Sequence, residues 1–89
     1  MLRTEIEIIN KLGMHARAAA KFVTLAQTFS AEIKIDKNGQ QVNGKSIMGV
    51  MMLAAARGNT IELIIDGEDE QQATEHLCQL IKNRFDEDE

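Results

Sequence analysis

Eighty-nine residues with 44% apolar content and a formal net charge of −4 set the size of one domain, residues 1–89, with a modest core and no disulfide framework. The Lys and Arg residues are scattered along the chain, the only aromatics are Phe22, Phe29 and Phe85, and Cys78 is the lone cysteine. A nucleic-acid surface and an internal disulfide are thereby excluded, and a reduced, cytoplasmic setting fits. No stretch is long enough to span a bilayer and no apolar signal-peptide run opens the chain, so no membrane insertion is expected.

Glu5-Ile6-Glu7-Ile8 alternates polar and apolar residues and predicts a half-buried strand running to Ile9. From about Ala16 to Thr28, Ala19, Phe22, Val23, Ala26 and Phe29 recur at helical spacing. Glu32 to Asp36 alternates again, Asn38-Gly39 marks a hairpin turn, and Gln40 to Asn43 forms the return strand. Ser46 is a helix N-cap for the run from Ile47 to Ala55, with Gly58 as the stop. Thr60 to Ile65 is a third alternating stretch, with Ile61, Leu63 and Ile65 on one face. A last helix begins near Asp69, lined on one side by Ala73, Leu77, Leu80, Ile81 and Phe85. Its acids come early and Lys82 and Arg84 come late, which matches the helix dipole. Asp86 to Glu89 reads as a short, solvated, frayed acidic end. The order β-α-β-β-α-β-α, with one-sided strands and amphipathic helices, predicts a two-layer open-faced sandwich.

The chemistry concentrates in Gly13-Met14-His15-Ala16-Arg17-Ala18-Ala19, at the junction of the first strand and first helix. A histidine there sits at the positive end of a helix, where backbone N–H groups lack intrahelical partners and hold a phosphoryl group well. The same end favours the neutral ring, whose lone pair is a nucleophile. Arg17 adds a fixed charge and a fork geometry suited to phosphate oxygens.

A second pattern competes with this one. Gly39-Gln40-Gln41-Val42-Asn43-Gly44-Lys45-Ser46 matches the nucleotide-binding form G-x-x-x-x-G-K-[ST], and Leu63 to Asp66 looks like the strand and acid that hold magnesium. The nucleotide reading is rejected on three grounds. Gly39 belongs to the hairpin, the short chain cannot supply the parallel crossover units such a site needs, and the helix after Ser46 is short and rich in methionine.

Gly13-Met14-His15-Ala16-Arg17 together with Lys45-Ser46-Ile47-Met48-Gly49-Val50-Met51 resembles the HPr/NPr family of histidine-containing phosphocarriers of the bacterial phosphotransferase system. The resemblance covers essentially the whole chain. It implies an α+β fold, a four-stranded antiparallel sheet with three helices on one face. It implies that His15 accepts a phosphoryl group on Nδ1 from phosphorylated Enzyme I and passes it to the A domains of Enzyme II proteins for sugar uptake. Arg17 would be the charge partner, and Ser46 the serine modified by an HPr kinase/phosphorylase. Such a protein is a monomeric carrier and not an enzyme, and needs no cofactor or metal. The family commonly has proline after the arginine. Here Ala18 keeps the helix with less pre-organisation and removes no reactive group.

Ile47, Met48 and Met51 suit docking to several partners as well as they suit a core. His76 falls off the apolar stripe of its helix and reads as exposed and idle, while Cys78 reads as a small buried or half-buried side chain and not a reactive thiol. The alternative within the same family is a nitrogen-branch (NPr-like) or mainly regulatory phosphocarrier that acts by protein binding.

Overall fold

The alternation of Ile and Leu along three segments decides the sheet. A computed structural model describes residues 1–89 as β1 (Leu2–Glu7), α1 (Ala16–Ala26), β2 (Glu32–Lys37), β3 (Gln40–Asn43), α2 (Ile47–Met52), β4 (Thr60–Asp66) and α3 (Glu70–Lys82), followed by a tight turn at Arg84–Asp86. The sheet order is β1-β4-β2-β3, antiparallel throughout. Ile6 pairs with Ile61, and Ile33 with Ile65. Ile35 faces Leu63 on one side and Val42 on the other. These residues, with Ile8, meet Phe22 of α1, Val50 of α2 and Leu77 and Ile81 of α3 in one core of 21 buried residues, against which the half-buried Val42 packs. Fully burying such a side chain contributes about 1.5–3 kcal/mol over leaving it exposed. The outcome is the α+β open-faced sandwich that the element order predicts.

The opposite face of the sheet is polar. Arg3 forms a bidentate pair with Glu62 across the strands, its shorter contact 2.8 Å. Ile64 is the exception: it is buried between Arg3 and Lys34 on the neighbouring strands, whose aliphatic stems can cover it.

Asn38 (φ 53°) and Gly39 (φ 90°) both adopt left-handed backbone, as a two-residue hairpin turn requires. The G-x-x-x-x-G-K-S stretch is therefore turn, paired strand and helix cap. Lys45 Nζ donates to the Phe29 carbonyl at 2.6 Å, tying β3 to the end of the α1 region.

Two local expectations are corrected. Helix α2 ends at Met52, well before Gly58. Lys37 Nζ donates to the carbonyls of Leu53 (3.0 Å) and Ala54 (3.2 Å), and the chain turns at Ala54 (φ 50°). This frees the Ala55 carbonyl to receive the Met14 N–H at 2.8 Å, so the end of α2 carries the loop before His15. Arg84 lies outside α3, leaving Lys82 as the basic residue of its last turn. Asp69 does mark the start of α3, but its carboxylate reaches away from the helix. It accepts from the backbone N–H of Ser30 (2.8 Å) and Ala31 (2.9 Å), which hold it below the usual carboxylate range despite partial desolvation.

Candidate functional site

Gly13 explains how the loop delivers the histidine. Its φ is +65°, and a Cβ there would lie 2.6 Å from the Ala55 carbonyl oxygen and 2.9 Å from Ala56 Cα. Only glycine lets the loop press this closely on the segment after α2. His15 follows as the N-cap of α1 with extended backbone (φ −69°, ψ 176°), and its imidazole makes no capping hydrogen bond. The N–H groups of Ala16, Arg17 and Ala18 thus open the helix without intrahelical acceptors. Proline at position 18 would lack the third of them. Ala18 itself is buried in the core.

Arg17 is exposed. It lines an open pocket with Lys11 and Lys21, and the opposite wall is the acidic segment Asp86–Glu89. Lys11 pairs with Glu89 at 3.4 Å and Lys21 with Asp86 at 4.0 Å, whereas Arg17 makes no ion pair. One cation is thereby left available to an incoming anion.

The acidic segment keeps Asp86, Asp88 and Glu89 exposed, as a solvated end should, but it does not fray: it folds back over the His15 loop. His15 Nε2 contacts a Glu87 carboxylate oxygen. The other Glu87 oxygen accepts from Asn10 Nδ2 at 2.9 Å, and the same Nδ2 donates to the Gly13 carbonyl at 2.8 Å. The Lys11 N–H donates to the Glu89 carbonyl. Burial pushes the Glu87 carboxyl up. The hydrogen bonds from Asn10 and His15 are the main causes that outweigh it and hold the carboxyl below the ordinary glutamate value. Asn10, fully buried beneath the loop, and Glu87 are the two residues of this site that the sequence reading missed. The available signal was a lone polar residue directly after the apolar pair Ile8-Ile9.

Ser46 caps α2, its Oγ accepting from the Gly49 N–H at 3.1 Å. Ile47, Met48 and Met51 are all exposed, as is Met52, and they fall at i, i+1, i+4 and i+5 on one side of the helix. The even choice between core and surface resolves to surface. His76 is exposed, with its ring 5.7 Å from that of Phe29. Cys78 is half-buried against the core, and burial pushes its thiol up, away from the reactive thiolate.

The family described as PTS HPr component phosphorylation site matches residues 2–83. The chain belongs to the HPr family. Phosphocarrier protein HPr of Cupriavidus necator is 56% identical over 89 residues, covering 100% of both chains. The HPr-like protein Crh of Halalkalibacterium halodurans is 49% identical over 82 residues, 92% of this chain and 98% of that one. Among solved structures, HPr-C-His from Thermoanaerobacter tengcongensis superposes with a TM-score of 0.96 at 45% identity, covering 100% of each chain. Membership makes this chain a phosphocarrier of the phosphotransferase system that works with that system's proteins, and not a catalytic enzyme. No helix is long and apolar enough to cross a membrane.

Proposed function

We propose that His15 is the phosphoryl-carrying residue, charged on Nδ1 by phospho-Enzyme I and discharged to the A domains of Enzyme II proteins in sugar uptake. The single domain, residues 1–89, would do this as a cytoplasmic monomer. One observation carries the reading: an imidazole at the open N-terminus of α1, engaged only through Nε2, beside an Arg17 without a carboxylate partner. A carrier must release its group as readily as it takes it. A phosphoramidate on imidazole does so, and a site with one free arginine and a few amide N–H groups grips phosphate lightly. The test is incubation with Enzyme I and phosphoenolpyruvate, then with an Enzyme II A domain. Acid-labile phosphate should appear on Nδ1 of His15 and then leave. If none appears, the carrier reading fails.

A second reading within the family is a nitrogen-branch or mainly regulatory phosphocarrier, and the resemblance to Crh of Bacillus subtilis, a catabolite repression HPr, supports its regulatory form. Transfer to nitrogen-branch acceptors in preference to sugar-specific ones would decide for it.

Arg17→Ala is expected to slow transfer in both directions by about 10- to 150-fold, the worth of one charge-assisted hydrogen bond of roughly 1.5–3 kcal/mol. The side chain is exposed and unpaired, so stability should change by less than about 0.5 kcal/mol. Rapid-quench transfer kinetics and urea denaturation measure the two effects. Unchanged rates would remove Arg17 from the mechanism.

Ser46 is the proposed regulatory phosphorylation site, served by an HPr kinase/phosphorylase, with Ile47, Met48 and Met51 as the adjoining partner surface. A phosphate there adds about −1.5 to −2 charges and sits favourably at a helix N-terminus, so the fold should tolerate it. The new charge borders an apolar docking surface and should be felt on binding. Ser46→Asp retains an oxygen to cap Gly49 and should keep the melting temperature, while phosphorylation by Enzyme I slows. An unchanged rate for both the aspartate variant and authentic phosphoserine would leave Ser46 as a helix cap alone.

A further inference from the structure

We propose that Glu87 is a positioning residue for phosphoryl transfer: its carboxylate accepts the Nε2–H of His15 and so presents Nδ1 as the nucleophile. The inference rests on the carrier reading of His15. A carboxylate has no proton to donate, so its contact with Nε2 requires the hydrogen on that nitrogen, and in the neutral ring the lone pair then lies on Nδ1.

The contact is built from three directions. Phe85 is fully buried and anchors the chain just before Glu87, and its carbonyl accepts from Lys21 Nζ at 2.9 Å. Beyond Glu87, the Lys11 N–H holds the Glu89 carbonyl. Below it, Asn10 is fully buried, with Nδ2 shared between Glu87 and the Gly13 carbonyl. Turning the Asn10 amide over would set its oxygen against two acceptors, so this network admits one orientation. That orientation leaves Asn10 Oδ1 buried without a partner, an expense the fold bears to direct Nδ2 at the His15 loop and Glu87 together. One buried side chain thereby fixes both the loop carrying the imidazole and the carboxylate that orients it.

The step balances. The Nδ1 lone pair forms a bond to the phosphorus of a phosphohistidine on Enzyme I whose other ring nitrogen is protonated, the donor's N–P bond breaks, and its electron pair returns to the donor ring, which leaves as a neutral imidazole. His15 becomes a phosphoimidazolium that keeps its Nε2 proton, and the Glu87 carboxylate neutralises the charge in place. Transfer onward reverses these events with no proton to be found or lost.

The test uses the full 89-residue chain, uniformly ¹⁵N-labelled, with Glu87→Ala and Glu87→Gln variants. In the wild type at a pH where the ring is neutral, His15 Nε2 should show the protonated nitrogen shift and Nδ1 the unprotonated one. In Glu87→Ala the two shifts should move toward each other as tautomers mix. The turnover for phosphorylation by Enzyme I should fall at least about tenfold, with KM changed less than about twofold. Glu87→Gln keeps an acceptor without charge, and it should restore the tautomer and part of the rate. Unchanged shifts in Glu87→Ala, or an effect confined to KM, would overturn the inference. In either case uptake of phosphate by wild-type His15 leaves the carrier reading standing, whereas absence of uptake by the wild type sinks that reading itself.

Discussion

His15→Ala is expected to take up no acid-labile phosphate from Enzyme I and phosphoenolpyruvate, while His76→Ala takes up as much as the wild type. The chain has two imidazoles, and their surroundings differ in every respect that matters. His15 caps the open end of an eleven-residue helix, next to an arginine with no ion pair. His76 lies well inside α3, where backbone N–H groups are already hydrogen-bonded, and its ring rests near Phe29. Only the first can offer amide donors and a fixed charge to an incoming phosphate. The substitution should leave the fold in place, because the imidazole makes no capping bond and Glu87 keeps its hydrogen bond to Asn10. Scintillation counting of acid-treated and untreated protein, with circular dichroism as the control for folding, measures both. Label retained by a folded His15→Ala protein would contradict the assignment.

The strands were legible because their side chains alternate, a period that only a sheet with one buried face explains. Thr60 to Ile65 shows this best, with Ile61, Leu63 and Ile65 all at 0% exposure. The hairpin was legible in Asn38-Gly39 because few other residue pairs adopt two left-handed conformations in succession. The length of α2 was not legible. Its end is set by a lysine sixteen residues away in β2 that satisfies the last carbonyls, a contact no local pattern records. The same holds for the site. The spacing of His15 and Arg17 is local and placed both at the start of α1. Glu87 stands 72 residues from His15, inside a run of four acids whose composition is that of a solvated end. What brings it back is the fully buried Phe85 and the fully buried Asn10, two residues whose pairing with the acidic segment belongs to tertiary structure alone.

Phe85→Ala is expected to lower the free energy of unfolding by about 3–5 kcal/mol, the usual loss for a fully buried phenylalanine, out of the roughly 5–15 kcal/mol typical of a domain. The residue is completely buried, yet it sits at φ 53° between Arg84 at 58° and Asp86 at 64°. Left-handed backbone costs an L-residue about 1–2 kcal/mol, and three in succession persist only because something offsets them. The offset is the core contact of the phenyl ring, joined by the hydrogen bond from Lys21 to the Phe85 carbonyl. Alanine keeps the unfavourable backbone and loses the ring, so the turn should open and Asp86–Glu89 should lift from His15 and Asn10. Urea denaturation measures the first effect. Hydrogen exchange of the Lys11 amide, which is bonded to the Glu89 carbonyl, measures the second. Arg84→Gly is the contrasting variant: Arg84 is exposed, so glycine relieves the backbone without removing packing and should be neutral or stabilising by up to about 1 kcal/mol. If Phe85→Ala costs under about 1 kcal/mol and the Lys11 amide stays protected, the acidic segment is held over the site by its own polar contacts and not by the buried ring.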